Sequence, residues 1–249
     1  MKSVSPSLKI MLTNEILDDL QNGYHIIQKT DGFKFGIDAV LLADFAKSVT
    51  GRVMDLCTGT GIIPLLLAAK SKATQIHGVE IQPDIADMAN RSVIYNNLED
   101  RIHIKCSDLK EAPHIYGKSI FDGVTVNPPY MKAGSGLINC ADTKTISRHE
   151  IKCNLDDVIK TSSELLKPTG KMFMIHRPSR LVDVIYTMRS FGIEPKIIRF
   201  VAGAPNKTPN LVLIMGIKGA KSELKIMPTL FVRDENGEYS KEIDEIYGR

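Results

Sequence analysis

Asn127-Pro128-Pro129-Tyr130 is the stretch of this chain whose residue types are best suited to do chemistry. Two consecutive prolines fix two φ angles and remove two N–H donors. Asn127, which precedes a proline, is pushed towards an extended conformation. The result is a rigid corner whose carbonyls and Asn side chain lack backbone partners, with an aromatic ring beside them. Such a corner accepts hydrogen bonds from the N–H groups of a planar amide or aromatic amine while the ring stacks on its face. The same residues also suit an ordinary Pro-rich turn in which Tyr130 covers a strand edge. The apolar run Ile120–Val126 leads into the corner and predicts a buried strand.

A second group of residues lies upstream. Gly51 to Ala69 reads as a strand, a Gly-rich loop and a helix. Gly59 and Gly61 allow a tight turn and close backbone approach to a ligand. Pro64 is tolerated only in a first helical turn, so the helix starts at about Gly61 or Ile62. The loop places free N–H groups and a helix N-terminus beside a nucleotide-like ligand. A dinucleotide fingerprint requires a third Gly where Pro64 stands, which disfavours NAD. Asp55, at the end of the first strand, suits a cationic ligand group better than a pyrophosphate. Glu80 ends the next strand, about 20 residues past the glycines, where an acid usually takes ribose hydroxyls; it also suits a cap for the following helix. Asp108 follows a third strand, where it can accept from an adenine amino group or cap a short helix.

Taken together, the segment from Asp55 through Thr58, Gly59 and Gly61, then Glu80, Asp108 and Asn127–Tyr130, resembles the class I S-adenosylmethionine-dependent methyltransferases. The Asn-Pro-Pro-Tyr variant is similar to that of enzymes methylating an exocyclic or amide nitrogen. Two flanking segments, Gly32–Ala43 and Asp55–Pro64, look most like the bacterial tRNA1(Val) adenine-37 N6-methyltransferase family, and the resemblance spans about residues 20–215. It implies S-adenosylmethionine as cofactor, held by Asp38, Asp55, Thr58, Gly59, Gly61, Glu80, Ile81, Asp108 and Asn127. It implies catalysis by Asn127, Pro128, Pro129 and Tyr130. Lys132, Arg148, His149 and Arg177 are expected to face the substrate, and no metal is expected.

The chemistry agrees with these residue types. An adenine N6 lone pair is delocalised into the ring. Acceptors on both of its N–H groups, the Asn127 side-chain oxygen and the Pro128 carbonyl, hold the amine and favour its nucleophilic form, so positioning and electrostatics supply the rate. Tyr130 stacks on a base drawn out of its helix, and one stacked base is worth about 1–3 kcal/mol. The expected acceptor is adenine N6 in tRNA. Rivals are a protein glutamine, as in release-factor N5-glutamine methyltransferases, DNA adenine, and a cofactor-binding module without transfer activity. A glutamine enzyme usually carries a separate N-terminal helical domain, a DNA enzyme a target-recognition domain, and neither has room here.

Composition adds bounds. The chain has 249 residues, 43% hydrophobic, which suffices for one full-sized α/β core. Its net charge of +3 is not that of a strongly basic nucleic-acid binder. Residues 131–210, however, hold thirteen Lys/Arg against seven Asp/Glu, so the basic excess follows the catalytic strand. Lys132, Lys144, Arg148, Lys152, Arg177 and Arg180 are candidates for phosphate contacts as a group, while any single one of them better suits a solvated surface. The cysteines, Cys57, Cys106, Cys140 and Cys153, form no Cys-x-x-Cys pair, which argues against zinc. Cys57 and Cys106 read as small apolar residues on or beside buried strands. No signal peptide or membrane-length apolar run is visible. The expectation is a cytoplasmic protein, monomeric or weakly dimeric, whose partner is tRNA and not a membrane.

The elements that must position these residues alternate. Strands at 52–56, 75–80, 102–106 and 120–126 and helices at 61–70 and 84–97 predict an α/β, Rossmann-like sheet with helices on both faces. Asp55, Glu80, Asp108 and Asn127 all fall at its carboxyl edge. The class implies a mostly parallel seven-stranded sheet ending in an antiparallel hairpin, here 193–201 with 211–217. Asn14–Leu20 reads as helix-like, and 24–28 as a strand. Ala39–Lys47 reads as a helix, with Asp38 either its N-cap or a closure over the methionine end of the cofactor. The expected division is an N-terminal cap at 1–38, the methyltransferase domain at 39–220, and a polar tail with a short helix at 221–249. The loop from Met131 to Leu137 suits a lid.

Overall fold

A computed structural model describes residues 10–20, 23–31, 35–128 and 154–249. In chain order these form strands β1 (Glu15–Asp19) and β2 (His25–Lys29), helix α1 (Ile37–Phe45), β3 (Thr50–Leu56), α2 (Ile62–Lys70), β4 (Lys72–Glu80), α3 (Pro83–Tyr95), β5 (Ile102–Cys106), α4 (Ala112–Tyr116) and β6 (Phe121–Val126). After the undescribed stretch come α5 (Leu155–Leu165), β7 (Leu166–His176), α6 (Leu181–Ser190), β8 (Ile193–Ala202), β9 (Leu211–Lys218), β10 (Lys225–Phe231) and α7 (Lys241–Tyr247).

The main sheet runs β10-β8-β9-β7-β6-β3-β4-β5. All neighbours pair in parallel except β9, which is antiparallel to both β7 and β8. This is the expected α/β sheet with its antiparallel hairpin. Side chains alternate across it, as strand geometry requires. Val53, Ile76, Phe173 and Ile175 enter a core shared with α1 and α2. Met54, Met172, Met174 and Ile214 enter the opposite core, with Val158 of α5 and Val184 of α6. Helix α2 is apolar on every side because Ile62 to Ala68 are all buried, between the sheet and α1. Asn154 and Asp157 close a capping box that starts α5.

Three local readings differ from the sequence-based expectation. The helix-like stretch Asn14–Leu20 is instead strand β1, paired antiparallel with β2. Asn14 adopts a left-handed φ of 69°, and a segment this short gains more from pairing than from an isolated helical turn. Helix α1 is N-capped by Gly36, so Asp38 lies inside its first turn and is not the cap. Beyond residue 220 the chain adds an eighth strand, β10, outside β8, and α7 buries Ile243 and Ile246 against the first core. Pro228 is tolerated because β10 is an edge strand, and the register shifts beside it, between Met227 and Leu230.

Candidate functional site

The parallel strands β3, β4, β5 and β6 end side by side, and their carboxyl ends carry the candidate residues. Asp55, on β3, is fully buried. Its two oxygens accept from the hydroxyls of Thr58 and Thr125, each at 2.6 Å. Burial pushes its pKa up to about 7, the two threonine bonds oppose the rise, and the charge of Glu80 adds to it. Asp55 therefore ties the loop after β3 to strand β6. Thr125 is a residue the sequence reading missed, and its signal was a lone hydroxyl inside the apolar run before Asn127.

The Gly-rich loop is held at three points. The Thr58 amide donates to the Val79 carbonyl at 3.0 Å, and the Gly59 amide to Glu80 Oε2 at 3.0 Å. Gly61, at φ 83°, N-caps α2, and a Cβ there would lie 3.2 Å from the Cβ of Ala89. Among the described residues, a Cβ on Gly59 would meet nothing within 4 Å, which leaves room beside the loop for a ligand. Another glycine that sequence reading passed over, Gly78, lets β4 pass under this loop: a Cβ there would sit 2.9 Å from Thr58 Oγ1.

Glu80 is buried, and its Oε1 accepts from the backbone and side-chain nitrogens of Gln82 at 3.0 and 3.3 Å. It joins the loop to the start of α3 and, after three accepted bonds, keeps about one acceptor position for a further donor. Ile81 follows it half-buried. Asp108 accepts from the Lys110 amide at 3.0 Å and caps a short 3-10 turn, as its alternative reading held. Cys106, read as a small apolar residue beside a buried strand, is exposed, because β5 is the outer strand of the sheet; Cys57 is half-buried.

At the end of β6, Asn127 is half-buried and Pro128 buried. The Asn127 side-chain Nδ2 donates to Asp38 Oδ2 at 3.2 Å, which joins the start of α1 to the corner after β6. Asp38 Oδ1 meanwhile accepts from the Ala39 amide at 3.0 Å. Pro129, Tyr130, Lys132, Lys144, Arg148, His149 and Lys152 lie outside the described residues, as do Cys140, Cys153 and the proposed lid. Arg177 is exposed just past the end of β7, the strand beside β6, and its guanidinium donates to the Asn210 carbonyl at 3.3 Å. Arg180 is paired with Asp183 at 2.7 Å. His176, also missed from sequence, is buried beside this edge; its Nδ1 accepts from the Arg177 amide at 2.8 Å, and burial lowers its pKa. Among the described residues no cluster of His, Cys, Asp or Glu could hold a metal, and no helix is long and apolar enough to cross a membrane.

A Rossmann-like sheet with a β7-β9-β8 reversal, and a strand-end cup of hydrogen-bond acceptors beside an open glycine loop, define a methyltransferase. The chain belongs to the methyltransferase small domain family, whose model matches residues 31–189. It is 30% identical over 229 residues to a tRNA1(Val) (adenine(37)-N6)-methyltransferase of Porphyromonas gingivalis, covering 88% of this chain and 89% of that protein. A protein of the same name from Tolumonas auensis is 29% identical, covering 91% of this chain and 94% of its own. Among solved structures, a predicted O-methyltransferase from Agrobacterium tumefaciens superposes with a TM-score of 0.68 at 22% identity, covering 85% of this chain and 95% of that one. At that identity the likeness is one of fold and does not bear on the acceptor.

Proposed function

We propose that this enzyme transfers a methyl group from S-adenosylmethionine to the exocyclic N6 of an adenine in tRNA, the reaction for which its relatives are named. The observation that carries the reading is the placement of Asn127 and Pro128 at the end of β6, immediately beside the glycine loop leaving β3. When bound, S-adenosylmethionine supplies a methyl already activated by its sulfonium. The open space over Gly59 and the acidic strand ends fit that group. Glu80 suits the ribose hydroxyls, Asp108 and Ile81 the adenine, and Thr58, Gly59 and Gly61 form the floor. Asp55 serves the site by holding Thr58 and Thr125 in place.

The Asn127 side-chain oxygen and the Pro128 carbonyl accept the two N–H groups of the target amine and hold it for attack, a gain that comes from positioning. Tyr130 stacks on the flipped base. Lys132, Arg148, His149 and Arg177 face the RNA. Residues 1–38 act as a cap, 39–220 as the transferase body and 221–249 as a C-terminal extension. The protein works in the cytoplasm, as a monomer or weak dimer. Incubation of unmodified total tRNA with labelled S-adenosylmethionine, followed by nucleoside analysis, tests the reading. It predicts labelled N6-methyladenosine. Label appearing instead in a glutamine-bearing protein, with none in tRNA, would overturn it.

A further inference from the structure

We propose that the turn after β10 and the residues closing α7 form a second RNA contact, in which two guanidinium groups and an exposed tyrosine take the sugar–phosphate backbone and an unpaired base of the tRNA away from the target adenine. The inference rests on the proposed reaction and gives the C-terminal extension a role. Tyr239 is 44% exposed. The Arg233 guanidinium lies 4.8 Å from its ring centre and that of Arg249 lies 5.6 Å away, so the two charges stand no more than about 10 Å apart. Arg249 is also 5.2 Å from the Tyr247 ring. A ring holds a cation without neutralising it, so an anion between the two guanidinium groups relieves their repulsion. Phosphate accepts guanidinium N–H groups in pairs, and an unstacked base lies flat on a tyrosine or a guanidinium plane. Carboxylates are close in sequence and are not used. Residues 231–249 hold six Asp/Glu against three Lys/Arg, so the attraction for RNA is local to the cluster. Among the described residues neither Arg233 nor Arg249 forms an ion pair. Asp234 instead accepts from the Asn236 and Glu238 amides at 2.8 and 3.0 Å, which closes the turn that presents Tyr239. Glu242 accepts from Arg199 at 2.6 and 2.7 Å.

The cluster stands on the same edge of the sheet as Asn127. Strand β10 is parallel to β8, β9 is antiparallel to both β8 and β7, and β7 is parallel to β6, so β10, β8, β7 and β6 end together. The Arg233 amide donates at 3.0 Å to the carbonyl of Gly203, where the loop from β8 to β9 begins. At the far end of that loop the Asn210 carbonyl accepts from Arg177, and Lys207 lies exposed between them. Arg177, Lys207 and Arg233 therefore follow one rim. On the other side α7 packs on α1, whose Asp38 accepts from Asn127. Burial raises the pKa of the Tyr247 phenol and the charges of Tyr239 and Asp38 add to the rise, which places the cluster near the start of α1.

The test uses the double variant Arg233→Gln/Arg249→Gln, with Tyr239→Ala and Tyr239→Phe beside it. Each is measured by filter binding of unmodified tRNA across a salt series, by kcat and KM for tRNA, and by calorimetry with S-adenosylmethionine. The arginine variant is expected to lower the log–log salt slope by about two contacts' worth. Tyr239→Ala is expected to raise KM for tRNA by about 5- to 100-fold, the range of one stacked base, while Tyr239→Phe keeps the ring and stays within about twofold of the wild type. In all three, kcat at saturating tRNA and cofactor affinity should change less than about threefold, the pattern of a binding contact remote from the chemistry. A cluster that only braces the fold would instead move kcat and cofactor affinity along with KM and leave the salt slope unchanged, and that result would overturn the proposal. Wild-type methylation of tRNA with slope and KM unaltered in every variant would overturn the contact and leave the reaction standing. A wild type that neither binds nor methylates tRNA would overturn both.

Discussion

Asp55 and His77 are buried ionisable groups whose environments drive them in opposite directions. Asp55→Ala would strand the hydroxyls of Thr58 and Thr125, both buried, and is expected to cost about 3 kcal/mol in urea denaturation. Because the folded pKa of Asp55 is raised to about 7, the native state keeps a proton between about 4 and 7 that the unfolded chain has released. Stability is present below that window and is lost as pH rises through it. His77 behaves in the reverse sense. Its ring nitrogens have no hydrogen-bond partner among the described residues, it packs on Tyr116 and Phe121, and burial lowers its pKa to about 4. Between about 4 and 6.5 the unfolded state binds a proton that the native state refuses, so stability falls as pH falls. His77→Leu should remove that term. Its advantage over the wild type in urea should grow on going from pH 7 to pH 5, by up to about 1.4 kcal/mol per pH unit. An advantage that shrank with acidity would contradict this assignment.

At the scale of elements, the glycine loop and the helix it starts are held by shape. Gly61→Ala places a Cβ at φ 83° against Ala89 and should cost about 1–2 kcal/mol while weakening S-adenosylmethionine binding, measured by calorimetry. Gly59→Ala meets no neighbour among the described residues, so a loss of cofactor affinity there would report on φ 56° and on the ligand. The parallel strands and their polar ends were legible from Asp55, Glu80, Asp108 and Asn127, because a strand followed by a turn and a polar residue leaves a clear pattern. Strand β1 was not, since a five-residue segment such as Glu15–Asp19 carries no decisive period and its pairing is decided by β2. Strand β10 was hidden by Pro228 and by having Leu230 as its single buried residue, both consequences of its place at the sheet edge. The link between Asp38 and Asn127 is a tertiary contact, which local sequence cannot announce. Thr125 was visible only as an exception inside an apolar strand.

On the whole molecule, the site lies on one edge of a sheet, and the basic excess of residues 131–210 follows strand β6 and Asn127 just past its end. Binding of tRNA should therefore weaken with salt, each neutralised phosphate adding about 0.7–0.9 to the log–log slope. Arg177→Gln should reduce that slope by about one contact's worth, read by filter binding across a salt series; an unchanged slope would remove Arg177 from the RNA surface. The central claim is that the corner at Asn127 is where the methyl moves. The measurement that tests it most directly is the single-turnover rate of methyl transfer to tRNA for the wild type and Asn127→Ala, with S-adenosylmethionine affinity measured on both. The account predicts a rate reduced by about 10²-fold or more in the variant, with cofactor affinity nearly unchanged. A variant that transfers at the wild-type rate, or whose loss is wholly one of cofactor binding, would contradict it.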